Sequence, residues 1–420
     1  MLKRFFFLLI LTIVFINQRA RADLHLDLEM TGKEYLNIIE SDKKNKEVKE
    51  SSLNPDELAQ LQKHLEYGKR NLQWIDIINA GRSVNQKISL TSAATTLGYP
   101  ISNPRILNFK VIVDEWSGLQ ELLPLELRKV IFENGELTEK APLTDREMVE
   151  WLVQVDRAYQ NSARFVLLMA NRESFEAAKA RDVRGYLQIK NNPDVDNQLK
   201  NWSHLDEVNR ALLKKALIRI CYNTITDDNY CLDLFEDYRT RDSLLDFKNL
   251  FILRAKVVYN SFFDIPVHRN DFVWTNENVL QFPFSNPKNE QVFQFLKFNI
   301  EDEFRWKDWS LNLNFVDTYS PNTTHVVFVP GSIARVNGIA GSEITMDANS
   351  LLSEYDMQWT IRHEYGHVLG FRDCYIEFYD PELSSFVSYQ LDVTNLMCSR
   401  RGHFKQIHYD ELMRVYRDSK

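Results

Sequence analysis

His363-Glu364-Tyr365-Gly366-His367 constrains this chain more than any other segment, because two histidines four residues apart can grip one ion only if the backbone between them is helical. On an α-helix each residue turns by about 100°, so positions i and i+4 stand within about 40° of each other, one turn apart. Glu364 projects beside them. The pattern supplies two neutral nitrogen ligands and a carboxylate near the open position of a metal, which is what a zinc-bound water needs to become a nucleophile. The plain alternative is a solvated helix that carries His, Glu and His by coincidence, expected in roughly one chain in a hundred of this length. The residues that follow argue against coincidence. Val368 and Leu369 continue the helix, Gly370 stands where a left-handed C-terminal cap would end it, and Asp373 follows three residues later, where a reversing chain can return it to the metal. Met357, Ile361, Tyr365 and Val368 recur at helical spacing and read as the core-facing side.

From His363 to Asp373 the segment resembles the metzincin signature of zinc peptidases, in which a histidine normally stands at the position of Asp373. It is most similar to the snapalysin type, whose third zinc ligand is an aspartate. The resemblance implies Zn²⁺ held by His363, His367 and Asp373, with Glu364 as general base. It also implies a methionine turn beneath the metal, and Asn395-Leu396-Met397-Cys398-Ser399 fits it, with Met397 thirty residues after His367. The resemblance covers roughly the last 155 residues and does not reach the first half. Glu377, Asp380, Glu382, Asp392 and His403 lie downstream and compete with Asp373 for the third ligand position. Many metzincins carry a tyrosine two residues after the turn methionine; here that position is Ser399, and His403 is the candidate to serve the transition state instead. Arg400, Arg401 and Lys405 follow the turn, where the family walls a substrate pocket, and read as a solvated charge cluster.

Residues 1–22 have the form of a signal peptide. Lys3 and Arg4 precede an apolar stretch from Phe5 to Ile16, and Ala20-Arg21-Ala22 offers small residues for cleavage before Asp23. The apolar run is too short to span a bilayer comfortably, so a secreted or periplasmic protein without stable membrane insertion is expected. Cleavage would remove Lys3, Arg4, Arg19 and Arg21 and no acid, taking the net charge from −8 to −12, which argues against a nucleic-acid partner. Export also gives the four cysteines a role, since an even number in an oxidising compartment points to disulfides. Cys221 with Cys231 and Cys374 with Cys398 are the expected pairs. Other pairings, or a thiolate from the first half directed at the metal, are the alternatives.

Length suggests two domains or more, and the expected class is α+β. Residues 23–265 read as a mainly helical N-terminal domain, accessory or pro-domain. Asn54-Pro55 begins a helix toward Ala80, and others fit 144–170, 205–220 and 243–262. Residues 41–52 are charged, weakly apolar and read as a connector. His64 and His204 read as surface or packing histidines. Residues 266–420 read as the catalytic domain, a twisted mixed sheet plus the active-site helix. Ser285-Asn286-Pro287 can start a helix with Phe293, Leu296, Ile300 and Phe304 on one face; Leu311, Leu313 and Phe315 alternate as a half-buried strand; Val326 to Val329 suits a buried one. Ile344 and Met346 alternate as an edge strand that could hold an extended peptide by backbone pairing. A helix from His408 to Tyr416 closes the chain. The expected function is an exported zinc endopeptidase acting on proteins or peptides. The alternative is an exported binding or structural protein with a non-catalytic zinc.

Overall fold

The computed structural model describes residues 26–45, 53–83, 86–90, 98–317, 320 and 322–417. The expected signal peptide, residues 1–22, lies outside them, as do residues 46–52 of the expected connector. Residues 41–45 belong instead to a helix, Gly32–Asn45.

Local chemistry explains where the long helices of the first half begin. Asn54 Oδ1 accepts from the backbone N–H of Glu57 (2.9 Å), Glu57 returns a bond to the Asn54 N–H, and Pro55 occupies the first helical turn, so Pro55–Asn79 is helical. Thr144 and Glu147 form the same reciprocal pair ahead of Asp145–Met169. Trp74, Leu61, Leu152 and Tyr159 bury this helix pair in one apolar cluster, where His64 stacks on Trp116. Helices Glu207–Ile225 and Leu244–Asn260 build a second cluster around Phe235 and Phe247, which also holds Cys221 and Cys231. Among the described residues no helix is long and apolar enough to cross a membrane.

Strands complete an α+β architecture of small sheets. Strand β1 (Arg105–Leu107) lies in the first half. Beyond residue 265, β2 (Val273–Asn276), β3 (Val279–Ser285), β4 (Arg305–Trp306) and β5 (Trp309–Val316) form a mixed sheet in which β3 and β5 run parallel. Strands β6 (His325–Val329), β7 (Arg335–Val336) and β8 (Glu343–Asp347) form a second, tied to the first by a parallel bridge between Phe284 and Thr324. Strands β9 (Tyr375–Asp380) and β10 (Ser385–Gln390) form an antiparallel hairpin, and β1 pairs with β10 in the register Arg105 to Ser388. The first half therefore supplies a strand to the second.

Three expectations change. Ser285-Asn286-Pro287 does not start a helix: the Ser285 and Asn286 N–H groups still bond to Thr324 O and Val316 O, and Lys288 adopts φ +56°, outside the right-handed helical region. The helix Glu290–Leu296 begins after Asn289, whose side chain accepts from Val292 N, and it continues as a π-helical turn, Lys297–Glu301, that buries Leu296 and Ile300. Strand β8 is not an edge: it sits between β6 and β7, with Arg335 and Val336 opposite Thr345 and Ile344. Val326 to Val329 is only partly buried, with Val329 exposed.

One buried charge stands apart from its surroundings. Asp156 is 3% exposed, Gln160 Nε2 donates to its Oδ2 (2.8 Å), and Oδ1 accepts nothing from the described residues. Burial pushes its carboxyl up from the ordinary 3.8 to about 7. The folded value lies above the unfolded one, so the stability it contributes is present below about pH 4 and is lost as pH rises toward 7. Asp156→Asn is expected to raise stability at pH 8 by about 2–4 kcal/mol and to change it little at pH 4, as urea unfolding at the two pH values would show. An equal effect at both would refute the assignment.

Candidate metal centre

His363, Glu364 and His367 stand on the helix Tyr355–Val368, whose Met357, Ile361, Tyr365 and Val368 face the largest apolar cluster. The helix stops where glycine permits it. Gly370 adopts φ +98°, its N–H bonds to His367 O and that of Phe371 to Gly366 O, the paired bonds of a left-handed helix end. A side chain at 370 would also collide with Val267 O, 2.3 Å from where its Cβ would sit. The reversed chain then carries Asp373 back over the histidines. Asp373 Oδ1 lies 3.2 Å from His363 Nε2 and 3.3 Å from His367 Nε2.

Those spacings test the fit of a metal. Ligands about 2.0–2.1 Å from a tetrahedral zinc stand about 3.3 Å from one another, which matches both contacts. The tautomers fit as well: His363 Nδ1 meets Leu396 O and His367 Nδ1 meets Phe371 O, each at 2.9 Å. A proton on each Nδ1 leaves both Nε2 atoms as ligands directed at Asp373. Among the described residues these three form the one group of His, Cys, Asp or Glu with the spacing to hold an ion. Burial would press the His363 imidazole down, yet the Asp373 carboxylate, with Glu364 and Asp27 adding to it, raises it to about 10. Burial likewise opposes protonation of His367, and Asp373 again shifts it upward. Both upward shifts have the same source, the Asp373 carboxylate beside the two rings.

Glu364 is 3% exposed, and its Oε2 is buried without a hydrogen-bond partner among the described residues. Such an oxygen suits a base that must accept a proton. Beneath the helix, Met397 Sδ lies 2.3 Å from where a Cβ on Gly366 would sit, so glycine is what lets the turn close against the helix. The turn is built by Asn395, whose Oδ1 accepts from Met397 N (2.8 Å) and meets His408 Nε2 (2.9 Å). Cys374 and Cys398 form a disulfide, and the Cys374 N–H bonds to Met397 O, tying the residue after Asp373 to the turn. Cys221 and Cys231 pair in the helical half. No free cysteine remains, so no thiolate is available to the metal.

The other acids and His403 are engaged elsewhere. Glu377 pairs with Arg164 (2.6 Å), Asp380 with Lys179 (3.4 Å) and Asp392 with Lys405 (2.7 Å), while Glu382 is exposed and lies outside the group at ion spacing. His403 faces Glu303 (3.4 Å) and packs edge-on to Trp359, its side chain 63% exposed. Ser399, two residues after Met397, donates to Glu29 Oε1 (2.9 Å). Arg400 is buried rather than solvated, because Asp27 (2.7 Å) and Glu34 (3.1 Å) neutralise it. Sequence reasoning missed Tyr375. Its hydroxyl is buried without a hydrogen-bond partner among the described residues, and burial followed by the charges of Asp373 and Asp27 pushes its ionisation well up, so it stays a neutral donor. Its place two residues after Asp373 was the available signal.

Asp373→Ala is expected to weaken zinc binding by more than about 100-fold, since it would remove one of the three residues gathered at ion spacing and the only carboxylate among them. Competition with a chromophoric chelator measures this; a variant that keeps stoichiometric zinc at wild-type affinity excludes Asp373 from the coordination. Comparison with protein-family models, curated proteins and solved structures finds no match to this chain.

Proposed function

We propose that this chain is an exported, zinc-dependent endopeptidase of the metzincin type. The observation that carries the reading is the placement of Asp373 Oδ1 at tetrahedral-edge distance from two histidine Nε2 atoms, beside a buried Glu364 carboxylate. His363, His367 and Asp373 would hold the ion, and Met397 would form its floor. When bound, zinc supplies a Lewis acid for the scissile carbonyl and lowers the pKa of a water. Glu364 Oε2 would accept a proton from the attacking water and return it to the leaving amine. Water, carbonyl and amine account for every proton, so no covalent enzyme intermediate is needed. Tyr375, whose buried hydroxyl has no hydrogen-bond partner among the described residues, would serve as the neutral donor to a developing oxyanion.

A structural zinc is the second reading, favoured by burial: His363, Glu364 and His367 are all at most 6% exposed. Against it stands Glu364, for which a closed structural site has no use. Digestion of a proteome-derived peptide library, with products identified by mass spectrometry, separates the two. Internal cleavage that stops on chelation and returns with zinc is the expected result. Full zinc occupancy with no cleaved peptide would overturn the peptidase, and loss of terminal residues alone would overturn the endopeptidase.

A further inference from the structure

Glu29, far from the zinc motif in sequence, is fully engaged by the C-terminal half. It is 6% exposed; its Oε1 accepts from Gln390 Nε2 (3.0 Å) and Ser399 Oγ (2.9 Å), and its Oε2 accepts from the backbone N–H of Arg400 (2.8 Å). All three donors belong to β10 or to the loop that carries Met397. That loop also contributes Leu396 O, the acceptor that orients His363 through Nδ1. The loop is fixed at Cys398 by the disulfide to Cys374 and at the next two residues, Ser399 and Arg400, by Glu29.

Glu29 is in turn held in place. Its own N–H donates to Asp27 Oδ1 (3.0 Å), and Asp27 Oδ2 pairs with the Arg400 guanidinium. Behind it, Arg164 donates to the carbonyls of Leu26 and Asp27 while pairing with Glu377 on β9. Residues 26–34 are thus clamped between two buried arginines, one from each half. A chain cut near residue 265 and stripped of its first half would take these partners from the Arg400 and Ser399 donors and the Glu377 carboxylate, and would leave β10 without β1.

We propose that Glu29 is a positioning residue for the metal centre, acting through Ser399 and Arg400 on the methionine turn and through Leu396 O on His363, so that the N-terminal half is a permanent part of the enzyme rather than a removable pro-segment. The inference rests on the zinc site proposed above. It belongs to metal geometry rather than to the chemical step, and partners that orient a metal-binding histidine typically tune affinity by 10- to 100-fold.

The test uses the full-length chain with Zn²⁺ and Co²⁺ as probes. Glu29→Ala is expected to weaken zinc binding about 10-fold or more and to alter the visible absorption of the cobalt form, which reports ligand geometry. Glu29→Gln keeps the oxygen facing Gln390 and Ser399 and loses the acceptor for the Arg400 N–H, so it should fall between wild type and Glu29→Ala and serves if Glu29→Ala does not fold. Leu152→Ala, buried in the helical core, controls for lost stability and should leave the cobalt spectrum unchanged. Wild-type affinity and an unaltered spectrum in a folded Glu29 variant would overturn the inference alone. So would a Leu152→Ala protein whose spectrum shifts equally. Failure of wild type to bind zinc would overturn the metal site itself and this inference with it.

Discussion

Glu364→Gln is expected to lower peptide-bond hydrolysis by about 10²–10⁴-fold while one zinc per chain stays bound. The substitution keeps the shape of the side chain and changes only its capacity to accept a proton. Glu364 is not one of the three residues gathered at ion distance, so metal content should not move. Its Oε2 is buried and accepts no hydrogen bond from the described residues, so no partner compensates for the loss. The measurement pairs kcat/KM on a peptide taken from the library with metal analysis of the same sample. Equal cleavage by wild type and variant would rule out Glu364 as the base. Loss of zinc with loss of activity would instead show that Glu364 supports coordination.

Arg164→Met is expected to destabilise the protein by about 3–5 kcal/mol, the cost of stranding one partner of a buried ion pair. Arg164 is fully buried. It bonds both Glu377 oxygens, the Tyr35 hydroxyl and the carbonyls of Leu26 and Asp27. Methionine fills much of the space and satisfies none of those acceptors. Removing the stranded charge as well, in Arg164→Met with Glu377→Leu, should recover a large part of the loss, because paired burial of two ions contributes little net stability. Chemical unfolding followed by circular dichroism checks both. A single variant that loses less than about 1 kcal/mol would show that this contact does not join the halves.

The parts of the site legible in sequence are those in which one residue's conformation dictates its neighbour's. Helical winding alone brings His363 and His367 together. Gly370, forced into the left-handed region, reverses the chain within one residue, which is why Asp373 at its short spacing reaches both histidines. The caps at Asn54 and Thr144 work the same way, since donor and acceptor lie three residues apart. Where local signals misled, the backbone turned the other way: Asn286 does not cap a helix because Lys288, two residues on, adopts φ +56°, outside the right-handed helical region, and the helix starts only after Asn289. Strand β8 looked like an edge because alternation of Ile344 and Met346 describes its faces and says nothing about which strand lies beside it.

By itself, then, the chain's sequence determined the helix that carries His363, Glu364 and His367, its glycine stop, and cysteines at the positions that pair. Only the tertiary structure decided that Glu29, 371 residues from Arg400, braces the methionine turn, that Arg105 meets Ser388 across a sheet, and that the basic residue after the turn is buried and neutralised. The division has one physical cause. Spacing of a few residues is enforced by covalent geometry and backbone hydrogen bonds, whereas contacts between distant segments depend on how whole apolar clusters close, and periodicity within a single segment carries no record of that.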